Sequence, residues 1–367
     1  MPPYKKTLIP GIFLLLLHTF SSYAETENRS YHHLPESTGP RFEIPDRIWP
    51  ENPGDANICL WKDDKLGAVT ITIDDNQAGQ IDWWMEQGDK YGYRFTWFII
   101  TNWVETKGIG GTWEQFQTLI DRGHDVQSHT ASHLGDKAFD IDDEYRISQE
   151  VIEKNLPGHP ATALAFPGGG QSSRNDPEVA AKYFIGVRAG SSIINPVNRI
   201  NYMGVNSVSG QFVFNKPKHW ANLDYMIERS SQKKLYRGWY CNHFHNLNEK
   251  DRTHVLEGLT YLKEHDADFW VGLFREVAMY GQERETAEVE SKVLSPNEIA
   301  LSLSDHMDDK FYNVPLTVKV RLPDDWQSAI AGQDQNQIEC NVITHENGKF
   351  ALIQVVPDKG TVILRRD

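Results

Sequence analysis

The chain reads as an α/β protein: a mostly parallel sheet closed as a barrel, with a small antiparallel β module behind it. Three observations predict this. Between residues 57 and 284, short β-branched and aromatic runs alternate with amphipathic segments, the pattern of strands joined by crossover helices. Several of those segments open on helix-capping chemistry. Beyond residue 294 the apolar period drops to two and a hairpin signal appears.

The first segment, 1–24, has Lys5 and Lys6, an apolar run over 8–17, and Ser22-Tyr23-Ala24 before Glu25, the order of a secretory signal cut after Ala24. A membrane span needs about twenty apolar residues, roughly twice that run. A secreted or periplasmic protein without a transmembrane anchor is expected. Residues 25–56 form a polar leader punctuated by Pro35, Pro40, Pro45, Pro50 and Pro53. Lysine and arginine total 37 against 51 acids, a formal charge of −14, and no stretch gathers enough bases to track a phosphate backbone. Nucleic acid is therefore not an expected partner. The three cysteines cannot all pair within one chain, and a Cys59–Cys241 bridge is one arrangement open to an exported protein. No Cys-x-x-Cys occurs, which excludes a thiolate zinc knuckle.

Within the α/β region, residues 69–73, Val-Thr-Ile-Thr-Ile, read as a buried strand that ends in Asp74 and Asp75. Adjacent strand residues face opposite sides, so both acids serve one site only if the backbone leaves strand geometry at Asp75, which Asn76, Gln77 and Gly79 permit. A helix is predicted over 80–90 and a second strand over 95–100. Thr112-Trp113-Glu114-Gln115 is a capping box, opening a helix whose apolar face is Trp113, Phe116, Leu119 and Ile120. Strands follow at 125–127, 163–166, 184–187, 239–244 and 269–271. Asp176-Pro177-Glu178 starts a helix with a cap and an N1 proline. Val255, Leu256, Leu259 and Leu262, then Phe274, Val277 and Ala278, mark two more helical stripes. In the tail, residues 316–322 alternate with period two, and Asn347-Gly348 sits between two strand-like runs as a hairpin turn. Residues 294–367 thus read as a β-rich accessory module with no candidate catalytic cluster.

Sites in such folds gather at the carboxyl ends of the strands, where Asp74 and Asp75 fall. Three more stretches belong to the same rim. Ser128-His129-Thr130-Ala131-Ser132-His133 follows a predicted strand, and two histidines four apart on one side of a helical turn can offer two imidazole nitrogens to one ion. In Ala165-Phe166-Pro167-Gly168-Gly169-Gly170, the glycines let backbone N–H groups approach a reacting carbonyl oxygen. In the motif over 239–245, strand alternation puts His243 and His245 on one face, and spacing does not choose between them.

The ordered motifs Thr-Ile-Asp-Asp, Ser-His-Thr-Ala-Ser-His, Phe-Pro-Gly-Gly and Phe-His-Asn-Leu resemble the polysaccharide deacetylase family, also called the NodB-homology or carbohydrate esterase family 4 group. Phe95-Thr96-Trp97-Phe98-Ile99, Asp121-Arg122-Gly123-His124-Asp125 and residues 269–280 are similar to further family segments, so the likeness covers 57–284. The resemblance implies a distorted (β/α) barrel with a divalent metal, usually zinc, held by Asp75, His129 and His133. It also implies Asp74 as general base, the Gly168 backbone N–H as oxyanion donor and His245 as general acid. The substrate implied is an acetylated extracellular or cell-wall polysaccharide or oligosaccharide, with the acetyl on nitrogen or oxygen. Two departures stand out. Ala165 and Phe166 occupy the place where many members carry an arginine that pairs with the base; Arg188 either takes that role or makes an ordinary structural ion pair. The family's Asp-Trp motif, which tunes the acid histidine, has no clear match. Trp83, Trp84, Trp103 and Trp220 are either walls for sugar rings or core. The rival readings are a hydrolase of a small non-sugar amide on the same scaffold, and a non-catalytic, metal-stabilised glycan binder.

Overall fold

The computed structural model describes residues 39–367 apart from 107, 136, 138, 171–172 and 230–232. The predicted signal and the first part of the leader lie outside the described residues. A short strand β1 (Ala56–Ile58) is followed by the parallel sheet: β2 (Gly67–Ile73), β3 (Thr96–Ile99), β4 (Asp125–Ser128), β5 (Ala163–Ala165), β6 (Gly186–Arg188), β7 (Val208–Ser209), β8 (Trp239–Phe244) and β9 (Phe269–Val271). Their order is β6-β5-β4-β3-β2-β8-β7, with β9 against the first residues of β2. Every residue of β2 is buried, as a strand covered on both faces requires.

The sheet curls because one segment ties its two edges. Val205 donates to Val187 O (2.8 Å) and Ala189 to Val205 O (2.7 Å), and the chain then enters β7 beside β8. The result is the distorted barrel of the NodB type.

Helices α1 (Ile81–Tyr91), α2 (Trp113–Asp121), α3 (Ile141–Asn155), α4 (Pro177–Ala180), α5 (Asp224–Ile227), α6 (Glu249–Glu264) and α7 (Phe274–Thr286) connect these strands and follow β9. The Thr112 capping box and the Asp176 cap form as expected. The sequence reading missed α3. Its buried face mixes Glu144, Ser148 and Gln149 with Tyr145 and Ile152, so the apolar stripe is interrupted by polar residues. The signal that was present is its start, where Asp140 accepts from the Asp143 N–H (2.8 Å).

The tail adds β10 (Glu288–Ser295), β11 (Glu298–Ser304), β12 (Leu316–Arg321), β13 (Ala329–Gln333), β14 (Asn336–Ile338), β15 (Cys340–His345), β16 (Gly348–Val355) and β17 (Val362–Arg366). They form two antiparallel sheets, β1-β12-β16-β15 and β10-β11-β17-β13-β14. The end of the leader therefore supplies an edge strand to the tail, through the pairing of β1 with β12. The β15–β16 turn falls one residue earlier than predicted, because His345 pairs with Gly348. Gly348 sits at φ 125°, and an added Cβ would lie 2.3 Å from the Arg321 guanidinium carbon, so the glycine opens the strand instead of closing the turn.

One hydrophobic cluster joins the two parts. It runs from Trp61, Trp239, Phe274 and Val277 on the barrel side to Ile299, Val318, Trp326, Ile353 and Leu364 in both tail sheets. A second cluster, with Ile71, Trp84, Phe95, Phe116 and Leu259, fills the barrel and the helices outside it. The Cys59–Cys241 bridge does not form, and all three cysteines are free. Cys59 follows β1 and is tied to the tail sheet by its N–H bond to Thr317 O (2.8 Å), whereas Cys241 lies inside β8. Among the described residues no helix is long and apolar enough to cross a membrane.

Candidate metal centre and catalytic pocket

Strand β2 pairs with β8 up to Ile73 and Phe244, and the Asp74 N–H donates to Phe244 O (2.9 Å), which sets Asp74 level with His245. The backbone then leaves strand geometry at Asp75. Asp75, Asn76 and Gln77 have φ of 58°, 61° and 40°, three consecutive left-handed residues without a glycine. Each such position costs about 1–3 kcal/mol, so the surroundings must hold it. The buried Asn76 side chain does so, accepting from the Ile100 N–H (2.9 Å) and donating to Gly110 O (3.0 Å). Asp74 and Asp75 consequently line one pocket.

His129 and His133 do not sit on a helical turn as the spacing suggested. The segment after β4 is irregular, with φ of 70° at Thr130 and 61° at His133. Local side chains compete successfully with helix hydrogen bonds here. Ser128 Oγ accepts from the Thr130 N–H (3.1 Å), Thr130 Oγ1 from the His133 N–H (3.0 Å), and Glu144 Oε2 from the Ser132 N–H (2.8 Å). Glu144 also accepts from the Ser132 hydroxyl.

The outcome is still convergence. His129 Nε2 is 3.6 Å and His133 Nε2 3.7 Å from Asp75 Oδ1, and the two imidazole rings stand 4.9 Å apart at 75°. His129 Nδ1 is 2.8 Å from the carbonyl oxygen of Ala165, which can only accept, so Nδ1 carries the proton and Nε2 presents a lone pair. Burial pushes the His129 pKa down to about 4, leaving the neutral imidazole that can serve as a ligand. Asp75 Oδ1 is buried without a hydrogen-bond partner. One donor atom from each of Asp75, His129 and His133 lies within 4.8 Å of the others, an arrangement that could hold a metal ion.

Asp74 is 2% exposed, and its Oδ2 receives the Arg188 guanidinium at 2.5 Å. Burial alone would raise the Asp74 pKa, but Arg188, followed by His129, outweighs it, and the carboxyl is held below its ordinary value. Its Oδ1 is buried and unpartnered. Arg188, at the end of β6, also donates to Ser207 Oγ (3.1 Å).

His243 in β8 and His245 just past it have different surroundings. Ser207 donates its hydroxyl proton to Ala189 O and lies 2.8 Å from His243 Nδ1, so His243 donates to Ser207 as a neutral ring. Burial, with Arg188 second, lowers the His243 pKa to about 3. His245, just past β8, has a side chain 47% exposed, and its Nε2 is 3.8 Å from Asp74 Oδ2 and 3.9 Å from Asp75 Oδ2.

Gly168, Gly169 and Gly170 follow β5 with φ of 65°, 62° and 85°. The Gly190 N–H donates to Gly169 O (2.7 Å), and a Cβ on Gly190 would lie 3.1 Å from that oxygen, so both backbones need the missing side chains. Gly168 lines a cavity of about 490 Å³ together with Asp74, Asp75, His129, His133, Arg188, His243 and His245. The candidate catalytic and metal-ligating residues singled out in the sequence thus line one cavity. Three participants were not anticipated in these roles: Asn76, Glu144 and Ser207. Each acts by hydrogen bonds across long sequence separations, which no local spacing encodes.

Of the four tryptophans, Trp84 is fully buried, Trp83 packs under the Arg252 guanidinium (5.2 Å) and Trp103 lies 6.0 Å from the His133 ring. Trp220 is 58% exposed.

Residues 62–184 match the model of the polysaccharide deacetylase family. A gellan lyase from a Bacillus species is 33% identical over 348 residues, which is 87% of this chain. The chain spans only 14% of that relative's length. Among solved structures, a Streptococcus pyogenes deacetylase in complex with acetate is similar at 20% identity and a TM-score of 0.34, over 38% of this chain and 62% of that one. A polysaccharide deacetylase from Bacillus cereus is similar at 21% identity and a TM-score of 0.33, over 38% of this chain and 46% of that one. The matched segment contains Asp74, Asp75, His129, His133 and the glycine loop, about half of the cavity's lining, and over those residues the chain is similar to the polysaccharide deacetylase family.

Proposed function

We propose that the chain removes acetyl groups from an extracellular or cell-wall polysaccharide, using a divalent ion, zinc by its donor set, held by Asp75, His129 and His133. In this reading residues 1–24 direct export, 57–284 are the catalytic domain and 294–367 an accessory module. The observation that supports it most is the convergence of those three donors beside an Asp74 whose Oδ1 has no hydrogen-bond partner. One carboxylate and two imidazoles leave coordination positions open, the hydrolytic rather than the structural pattern. When bound, such an ion lowers the pKa of water and polarises an acyl oxygen.

The chain's own groups supply the rest. Asp74 Oδ1 takes the proton of water as the water adds to the acetyl carbonyl, and Arg188 on Oδ2 keeps the carboxylate ionised for this step. The Gly168 N–H donates to the carbonyl oxygen as negative charge develops there. His245 gives a proton to the departing amine or alkoxide, and its exposure lets it regain that proton from solvent. His243, a neutral ring tied to Ser207, is a poorer source of that proton.

The relative named gellan lyase makes acetylated gellan a first substrate to try, beside N-acetylated and O-acetylated oligosaccharides. Acetate release by the native protein, with metal analysis, tests the reading. Asp74→Asn is expected to retain metal and lose about 10²–10⁴-fold in kcat, and His129→Ala to lose both metal and turnover. Equal acetate release by native protein and Asp74→Asn would remove the base assignment. Full metal retention by His129→Ala would remove the ligand set, and glycan binding without acetate release by any form would favour a binder.

A further inference from the structure

Trp220 carries an exposed ring in the loop between β7 and α5, outside the segment that matches the family, and is hydrogen-bonded to a residue that lines the catalytic cavity. Among the described residues it is the most exposed of the large hydrophobic side chains. A single exposed apolar side chain needs no explanation by itself. Here the side chain is fixed, and fixed to the site. Its indole N–H donates to Ser192 O (2.6 Å), and Ser192 and its neighbour Ser191 line the cavity that holds Asp74 and His245.

The supporting loop is bonded internally. The His219 ring lies against Trp220 at 5.0 Å and 30°, His219 Nδ1 accepts from the Ala221 N–H (3.2 Å), and the Lys218 N–H donates to the Tyr225 hydroxyl (2.8 Å). The polar atom of the indole is thus consumed by the backbone, and what remains toward solvent is a flat apolar face. Ser191, Ser192 and Ser209 line the catalytic cavity, while the Ser207 hydroxyl is taken up by Ala189 O, Arg188 and His243. An apolar face next to hydroxyl groups matches a pyranose ring, with C–H bonds on one face and hydroxyls around its edge. Because the face is held before binding, little side-chain entropy is lost on contact.

We propose that Trp220 is the stacking platform for a sugar residue adjoining the one whose acetyl group enters the catalytic cavity, so that the site selects an oligosaccharide or polysaccharide over a free monosaccharide. This rests on the deacetylase reading for the identity of the cavity, and the two can fail separately.

The test is calorimetric binding to the full-chain Asp74→Asn protein, with and without Trp220→Ala or Trp220→Phe. The probes are N-acetylchitohexaose, an O-acetylated xylohexaose and an acetylated gellan oligosaccharide, with N-acetylglucosamine as the one-sugar comparison. Acetate release from the same probes by native protein is measured in parallel. The expected result is that at least one oligosaccharide binds more tightly than the monosaccharide, that Trp220→Ala weakens it about tenfold, and that Trp220→Phe restores most of the loss. An oligosaccharide affinity unaltered by Trp220→Ala, alongside acetate release, overturns the platform while the deacetylase stands. A Trp220-dependent affinity in a protein that releases no acetate keeps the platform and removes the deacetylase. Binding of none of the probes overturns the platform.

Discussion

At Asp74 two opposing influences meet on one carboxylate. Burial disfavours its charge, and the guanidinium of Arg188, itself 1% exposed, restores it. Such a pair stabilises little when intact, yet removing one partner leaves an unpaired buried charge that costs about 3–5 kcal/mol. Arg188→Met is therefore expected to lower stability by about that amount in urea denaturation. In the double variant Asp74→Asn, Arg188→Met, most of the loss should return. A double variant no more stable than Arg188→Met alone would show that Arg188 acts through Ser207 rather than Asp74. The sequence left two readings of Arg188, a partner of Asp74 or an ordinary structural ion pair, and only the 2.5 Å contact across 114 positions pairs it with Asp74.

The elements around the site show what a linear pattern can and cannot carry. Strand β2 was legible because a run of β-branched residues is a local property, and its end in two acids marked the rim. Helix α3 was not legible, since polar residues interrupt the face it buries and several of their partners lie outside the helix, in the histidine loop and at Ala161 and Tyr183. Its Glu144 is fully buried and grips Ser132, the residue before His133. Glu144→Ala should loosen that loop and weaken metal affinity by about 10–100-fold, as the loss of an outer-shell partner does. Competition against a chelator measures this, and unchanged affinity would mean that Ser128 and Thr130 hold the loop by themselves.

The molecule as a whole is joined through α7, which packs on the barrel and carries Glu283 against the tail. Burial, with Asp305 second, pushes the Glu283 pKa up to about 9, so the folded protein holds its proton at neutral pH. In the unfolded chain the group titrates near its ordinary 4.5. Between those values the folded state binds the extra proton, so this contribution is complete below about pH 4.5 and is lost as pH rises through about 9. Glu283→Gln keeps the oxygen that accepts from the Val314 N–H (3.1 Å) and cannot ionise. Its melting temperature should exceed that of the native protein by more at pH 9 than at pH 5, and an equal difference at both would place the proton elsewhere. The shared cluster makes a second demand at this scale. A chain ending at residue 286 uncovers Trp61, Phe274 and Tyr280, and removes the β12 partner of β1. It is expected not to give a cooperative thermal transition, and a soluble, cooperatively melting fragment would show that the barrel stands without the tail.

Strands, capped helices, the shift to period two and the order of the four chemical motifs were all present in the sequence, because each depends on residues a few positions apart. A departure from strand geometry at Asp75 was expected there too if both acids serve one site, since two adjacent strand residues cannot share a face; that it takes the left-handed form came from the structure. Tertiary structure alone decided the irregular path of the histidine loop, the Arg188 and Ser207 contacts, the different surroundings of His243 and His245, and which of four tryptophans faces solvent. Those outcomes come from hydrogen bonds, ion pairs and burial between residues far apart in the chain, where the fold, and not the spacing, sets the distance.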